Sequence, residues 1–257
     1  MAPDPAGTPK IELIGVRKAF GDNQVLAGVS LSVMPGESLV IIGGSGTGKS
    51  VTLKCILGII TPDSGEIRID GQPIGSIDRR AFLRSFGMLF QGGALFDSLP
   101  VWQNVAFRLR QARKPMPRRA ARDLAIGKLA RVGLGHETAD LYPAELSGGM
   151  QKRVGLARAI ATDPKVIFFD EPTAGLDPIM AGVINDLIRE LVTEMGATAI
   201  TITHDMTTVR TVADQVAMLH GGIVRWHGPV SGIEASGDPY LDQFIHGRAE
   251  GPIAAVR

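Results

Sequence analysis

Apolar and polar positions alternate through residues 10–33: Ile11 and Leu13 first, then Val25 and Leu26, then Val29, Leu31 and Val33. A period of two marks strands with one buried face, and Gly21-Asp22-Asn23 between them reads as a hairpin turn. At Ser38–Ile42 the alternation gives way to a short, almost wholly apolar run, as expected of a strand covered on both faces. Helical spacing follows in Val51, Leu53, Ile56 and Leu57 and stops near Gly58. Thr61-Pro62-Asp63-Ser64-Gly65 is a turn, and residues 66–70 and 86–90 are short strands.

From residue 100 the strand signal fades. Helical patterns cover 101–112, 117–132 and 147–161. Strand character returns at Val166–Asp170, followed by a helix at Pro178–Met195, a strand at 197–203, a helix at 206–213 and strands at 216–219 and 223–226. Strands alternating with helices predict an α/β fold with a parallel sheet. Residues 91–162 read as a helical insertion into it, 1–9 as a disordered tail, 10–236 as the main domain, and 237–257 as a C-terminal helix and tail.

Composition narrows the class. The 257 residues are 44% hydrophobic and 21% charged, with a formal net charge of +1. That is enough chain for a sizeable core, and the balance argues against a general nucleic-acid coat. The longest apolar runs span four residues, as at residues 39–42, whereas a membrane-spanning helix needs roughly 20. A single cysteine, Cys55, allows no internal disulfide and reads as packed core. The expectation is a soluble, cytoplasmic protein.

The glycines, 32 in all, supply the chemistry. Gly43-Gly44-Ser45-Gly46-Thr47-Gly48-Lys49-Ser50 fits G-x-x-x-x-G-K-[ST] between a strand and a helix that opens with Val51. Glycines let backbone N–H groups turn inward around phosphate oxygens, and the helix N-terminus adds positive potential. Lys49 brings a full charge to the β- and γ-phosphates, and the Ser50 hydroxyl is a hard oxygen donor for Mg²⁺. Val166–Asp170 is a buried strand ending in a carboxylate at the sheet edge where α/β proteins bind ligands. Asp170 fits a Mg²⁺ acid, and Glu171, expected on the other face by strand alternation, is the residue to polarise an attacking water. The competing reading makes both acids caps of the next helix.

Further motifs then fall in order. Leu146-Ser147-Gly148-Gly149-Met150-Gln151 resembles the signature motif of ABC-transporter ATPases, with Ser147 24 residues before Glu171. Gln91 resembles the Q-loop glutamine, Ala174-Gly175-Leu176-Asp177 the D-loop, and His204 in Thr201-Ile202-Thr203-His204-Asp205 the switch histidine. Phe20 stands where that family stacks an aromatic on adenine, although phenylalanine is more often core. The resemblance spans about residues 11–230. It implies a P-loop (RecA-like) core with a parallel sheet, an N-terminal antiparallel β subdomain and an inserted helical subdomain. It also implies an ATPase that uses ATP and Mg²⁺. Its nucleotide contacts would include Phe20, the Gly43 to Val51 segment, Ser147, Gly148, Gly149 and Asp177. Ser50, Gln91 and Asp170 would face the metal, and Lys49, Gln91, Glu171 and His204 would serve catalysis. Two copies would close head to tail on two ATP molecules.

The stretch Gln91-Gly92-Gly93-Ala94-Leu95-Phe96-Asp97-Ser98-Leu99, the Met150 that ends the signature, and a tail from Asp238 to Ile253 resemble the ATPases of Mla and MCE-associated lipid transporters. That resemblance implies phospholipid or another hydrophobic lipid as cargo. The implied partners are a separate permease, an MCE substrate-binding protein and a STAS-domain protein, with no nucleic acid. The implied location is the cytoplasmic face of the inner membrane, where the chain would be peripheral, and the tail would reach the second copy. Leu95, Phe96 and Trp102 are expected to form an apolar floor for a permease helix. A polar-solute importer and a non-transport signalling ATPase remain as alternatives. Seven basic residues from Arg108 to Arg122, with no acid among them, fit either a solvated face or a surface for anionic headgroups.

Overall fold

In the computed structural model, which describes residues 7–254 and leaves out the side chains of residues 80 and 81, the chain divides into two units. One runs to Arg79 and resumes at Ile202; the other is Arg80–Thr201. Residues 1–6 of the expected N-terminal tail and the last three of the C-terminal tail lie outside the described residues.

In the first unit β1 (Ile11–Phe20) pairs antiparallel with β2 (Asn23–Val33) and with β4 (Ser64–Ile69), and β5 (Gln72–Pro73) extends the sheet. The alternating pattern slips in both long strands, between Leu13 and Val16 and between Leu26 and Val29. Ile11 and Leu13 are buried and the next buried position is Val16, because Gly15 (φ +58) sits in a register shift that turns the following residues to the other face. Strand β3 (Ser38–Ile42) is buried at every position and lies parallel to β9 (Gln215–His220), which pairs antiparallel with β10 (Ile223–Pro229). The α-helices α1 (Lys49–Ile56), α8 (Met206–Val212) and α9 (Pro239–Ile245) belong to this unit. Gln243 of α9 donates to the carbonyls of Arg248 and Ile253 and accepts from the Ile253 amide, so the tail is held on its own helix as far as residue 253.

In the second unit α2 (Arg79–Ser85) leads into β6 (Phe86–Leu89), which runs parallel to β7 (Val166–Asp170) with Phe86 opposite Val166. Strand β8 (Thr198–Ile202) lies on the other side of β7. Helices α3 (Val101–Val105), α4 (Phe107–Arg110), α5 (Arg118–Arg131) and α6 (Gly148–Ala159) fill the stretch between β6 and β7. The single helix expected over 101–112 is broken at Ala106. The 18-residue α7 (Pro178–Met195) has the bounds the sequence predicts, because both ends are punctuated. Asp177 caps it, Pro178 opens it, and Gly196 in the left-handed region (φ +56) closes it.

Helix α6 approaches β6 so closely that a Cβ on Gly87 would lie 2.1 Å from the Ala159 carbonyl oxygen. Neither the strand nor the helix backbone can yield cheaply there. Gly87→Ala is expected to lower stability by about 3 kcal/mol, at the upper end of overpacking penalties, as read from urea denaturation midpoints.

The basic segment is only partly absorbed into this unit. Arg108 donates to the Phe86 carbonyl and Arg110 to that of Met116. The Arg118 guanidinium lies 5.4 Å from the Trp102 ring centroid, and Arg122 pairs with Asp140. Arg113, Lys114, Arg118 and Arg119 are exposed. Trp102 is itself buried, which corrects its expected place on an accessible apolar floor. Among the described residues no helix is long and apolar enough to cross a membrane.

Candidate functional site

Strand β3 ends at Ile42, and the chain turns at once through Gly43, Gly46 and Gly48, with φ of +147, +76 and +102. Side chains are excluded as well as disfavoured there. A Cβ on Gly43 would meet the Leu219 carbonyl oxygen at 2.4 Å, and one on Gly48 would meet Leu26 Cδ2 at 2.7 Å. Thr47 Oγ1 donates to the Gly44 carbonyl at 2.9 Å, and Lys49 Nζ donates to the carbonyls of Gly43 and Gly44 at 2.6 and 2.8 Å. The loop is thereby wrapped around the lysine at the head of α1. Ser45, Gly46 and Ser50 are exposed, while Gly44, Thr47, Lys49 and Val51 are half-buried. An exposed row of backbone groups at a helix N-terminus, with an ammonium beside it, is suited to an anion with several oxygens.

Two further expected residues belong to the same unit. Phe20 closes β1 with 49% of its surface exposed, so it is not a core residue, and Lys18 Nζ lies 5.6 Å from its ring centroid. His204 is exposed in the loop after β8. The Thr203 amide donates to the Ile41 carbonyl at 3.3 Å, which fixes that loop beside the end of β3, where the glycine loop begins. Asp205, the next residue, caps α8 through the Thr207 amide and leaves the histidine at the turn.

The second unit holds the other expected residues. Asp170 is the last residue of β7, half-buried. Glu171 departs from the predicted alternation. It has φ +47, so the chain leaves the strand there through a left-handed kink that non-glycine residues rarely adopt. The capping reading of these two acids is excluded by α7, whose N-terminal amides at Ile179 and Met180 are taken by Asp177. Gln91 is exposed just past β6. Ser147 caps α6, its Oγ accepting from the Met150 amide at 3.3 Å, and Gly148 beside it is exposed. Gly149 is buried, and a Cβ on it would meet Met180 Cε at 2.6 Å.

Sequence reasoning missed the residues that hold these loops. The buried amide of Asn104 spans the Phe96 amide and carbonyl and the Leu99 carbonyl. Arg158 of α6 donates to the carbonyls of Gly93 and Ala94 just after Gln91. Lys152, also on α6, donates to the Glu171 carbonyl at 3.2 Å. Polar residue types on otherwise amphipathic helices carry no sequence signal of such roles.

For a metal, the donor set is decisive. Among the described residues no cluster of three His, Cys, Asp or Glu side chains could hold an ion alone. The expected donors, a Ser50 hydroxyl, a Gln91 amide and an Asp170 carboxylate, are hard oxygens. Hard oxygens are the donor type that Mg²⁺ prefers.

Comparison with known proteins adds to this geometry. The ABC transporter family matches residues 26–174. The intermembrane phospholipid transport system ATP-binding protein MlaF of Escherichia coli is 40% identical over 246 residues, 95% of this chain and 91% of that protein. The probable ribonucleotide transport ATP-binding protein mkl of Mycobacterium tuberculosis is 41% identical over 246 residues, 95% of this chain and 68% of that protein. A solved ATP-binding cassette, a dimer in a post-hydrolysis state with ADP and Pi, superposes with a TM-score of 0.76 at 31% identity, covering 86% of this chain and 98% of that one.

Proposed function

The chain belongs to the ABC transporter family, as one of its ATPases, and we propose that it is the motor of a transporter that moves phospholipid or another hydrophobic lipid between membranes. The observation that carries the lipid reading is the 40% identity to MlaF along 91% of that protein. The Q-G-G-A-L-F-D-S-L stretch at residues 91–99 supports it. The relative named for ribonucleotide transport favours a polar cargo instead, but only 68% of its length is matched.

In the proposed mechanism the loop from Gly43 to Ser50 cradles the phosphates of ATP while Phe20 stacks on adenine. Lys49 turns from the carbonyls of Gly43 and Gly44 to the phosphate oxygens. Ser50, Gln91 and Asp170 are the residues that would hold Mg²⁺, which would supply neutralisation of phosphate charge. Glu171 takes the proton of the attacking water as oxygen bonds to the γ-phosphorus and the bond to the β-phosphate oxygen breaks, leaving ADP and inorganic phosphate. His204 donates to the γ-phosphate. Ser147 and Gly148, at the open N-terminus of α6, face the γ-phosphate held by a second copy of this chain, with Asp177 near the same contact. The dimeric state of the solved cassette with ADP and Pi supports that pairing.

This chain contacts ATP, and a membrane permease carries the cargo. The permease would seat the chain as a peripheral subunit on the cytoplasmic face of the inner membrane, with an MCE protein and a STAS-domain protein in the same complex. Purification of the native complex, followed by ATP-dependent transfer of labelled phospholipid between vesicles, tests this. Transfer with an MCE protein present is the expected result. ATP-dependent uptake of a ribonucleotide with no lipid transfer, or recovery of no permease, overturns it.

A further inference from the structure

Lysine is rarely buried without a partner. Lys152 is 4% exposed, one turn into α6, and its ammonium donates to the Glu171 carbonyl. Burial pushes its pKa below the ordinary lysine value, while the charges of Glu171 and Asp170 pull in the opposite direction. The side chain is thus drawn into the acidic end of β7.

What it holds there is a strained backbone. Glu171 sits at φ +47, a conformation that costs a non-glycine residue of order 1–3 kcal/mol and persists only where its surroundings enforce it. Its carbonyl is fixed by two donors, the Ala174 amide at 3.2 Å and Lys152 Nζ at 3.2 Å. The kink decides where the carboxylate points, because it rotates Glu171 out of the alternation that β7 would impose. Helix α6 is a firm base for the second donor. Gly155, on the same face as Lys152, approaches so closely that a Cβ there would lie 2.7 Å from Leu89 Cδ1, and Ala159 meets Gly87.

We propose that Lys152 is a positioning residue for hydrolysis: by holding the Glu171 carbonyl it keeps the left-handed kink that aims the Glu171 carboxylate at the attacking water. This rests on the reading of Glu171 as the proton acceptor. It also ties the aim of that carboxylate to α6, whose first residues are the signature glycines. Met in place of Lys152 keeps the length of the buried stem, removes the donor, and carries no charge of its own.

The test uses the full-length protein purified with its native partners, carrying Lys152→Met or Lys152→Arg, each alone and combined with Glu171→Gln. Lys152→Met is expected to lower kcat about 10- to 100-fold, the scale of a misplaced catalytic group, with KM and Kd for ATP within about twofold of the parent. Lys152→Arg keeps a charged donor and retains more turnover than the Met variant. In the Glu171→Gln background, Lys152→Met causes no further loss of single-turnover rate, because the positioned group is already disabled. Unchanged kcat in Lys152→Met, equal turnover in the Met and Arg variants, a parallel loss of ATP affinity, or an additive loss on top of Glu171→Gln overturns the role of Lys152. Parental turnover in Glu171→Gln alone overturns instead the reading of Glu171 on which it rests.

Discussion

Glu171→Gln is expected to bind ATP with parental affinity and to hydrolyse it at least about 100-fold more slowly. The amide is nearly the size of the carboxylate, so the kink at φ +47 and its tie to Lys152 can persist. What is lost is the basic oxygen. A positioned general base contributes typically 10²–10⁴ in rate, and Asp170, at the end of β7, is the residue assigned to the metal rather than to the water. Since the glycine loop belongs to the other unit and is unaltered, ATP remains bound and the closed pair of chains accumulates. Single-turnover release of inorganic phosphate measures the first effect, and size-exclusion chromatography with ATP the second. Steady-state hydrolysis at the parental rate would remove Glu171 from the chemistry.

Much of this was legible in the residues. The bounds of Ser38–Ile42, Val166–Asp170 and Pro178–Met195 follow from the sequence because each run ends on a residue with one strong preference. Gly43, with φ +147, ends the first, the change from Phe169 to Asp170 ends the second, and Asp177-Pro178 and Gly196 bracket the third. The glycine loop is legible for the same reason: its chemistry is in its backbone, and only glycine permits that backbone. The break at Ala106 is not legible, since alanine is the best helix former. Helix α2 is invisible for a related reason, as Arg79, Arg84 and Ser85 leave little apolar period. The kink at Glu171 and the burial of Lys152 share one origin. A strand pattern predicts alternation and a lysine predicts solvent, and both expectations yield to a contact between residues 19 apart in the chain.

Lys49→Ala is expected to weaken ATP binding roughly 30- to 1,000-fold, and hydrolysis falls with it. Charge-assisted hydrogen bonds to a desolvated anion contribute about 2–4 kcal/mol when one partner is truncated, and each 1.4 kcal/mol is a factor of ten. Without nucleotide the ammonium is held by the Gly43 and Gly44 carbonyls at 2.6 and 2.8 Å. Exchanging these hydrogen bonds for phosphate oxygens offsets part of the gain, which favours the lower part of that range. The substitution also leaves the Gly43 carbonyl without this donor, whereas the Gly44 carbonyl keeps Thr47 Oγ1, so a loss of stability near 1 kcal/mol accompanies the change. Adenosine separates charge from loop collapse. It has no phosphate for Lys49 to meet and relies on the exposed ring of Phe20, so its affinity should change less than about twofold while that for ATP falls. Calorimetric titration with both ligands reads the ratio. Equal losses for ATP and adenosine would mean that the loop had collapsed, and unchanged ATP affinity would mean that the phosphates lie elsewhere.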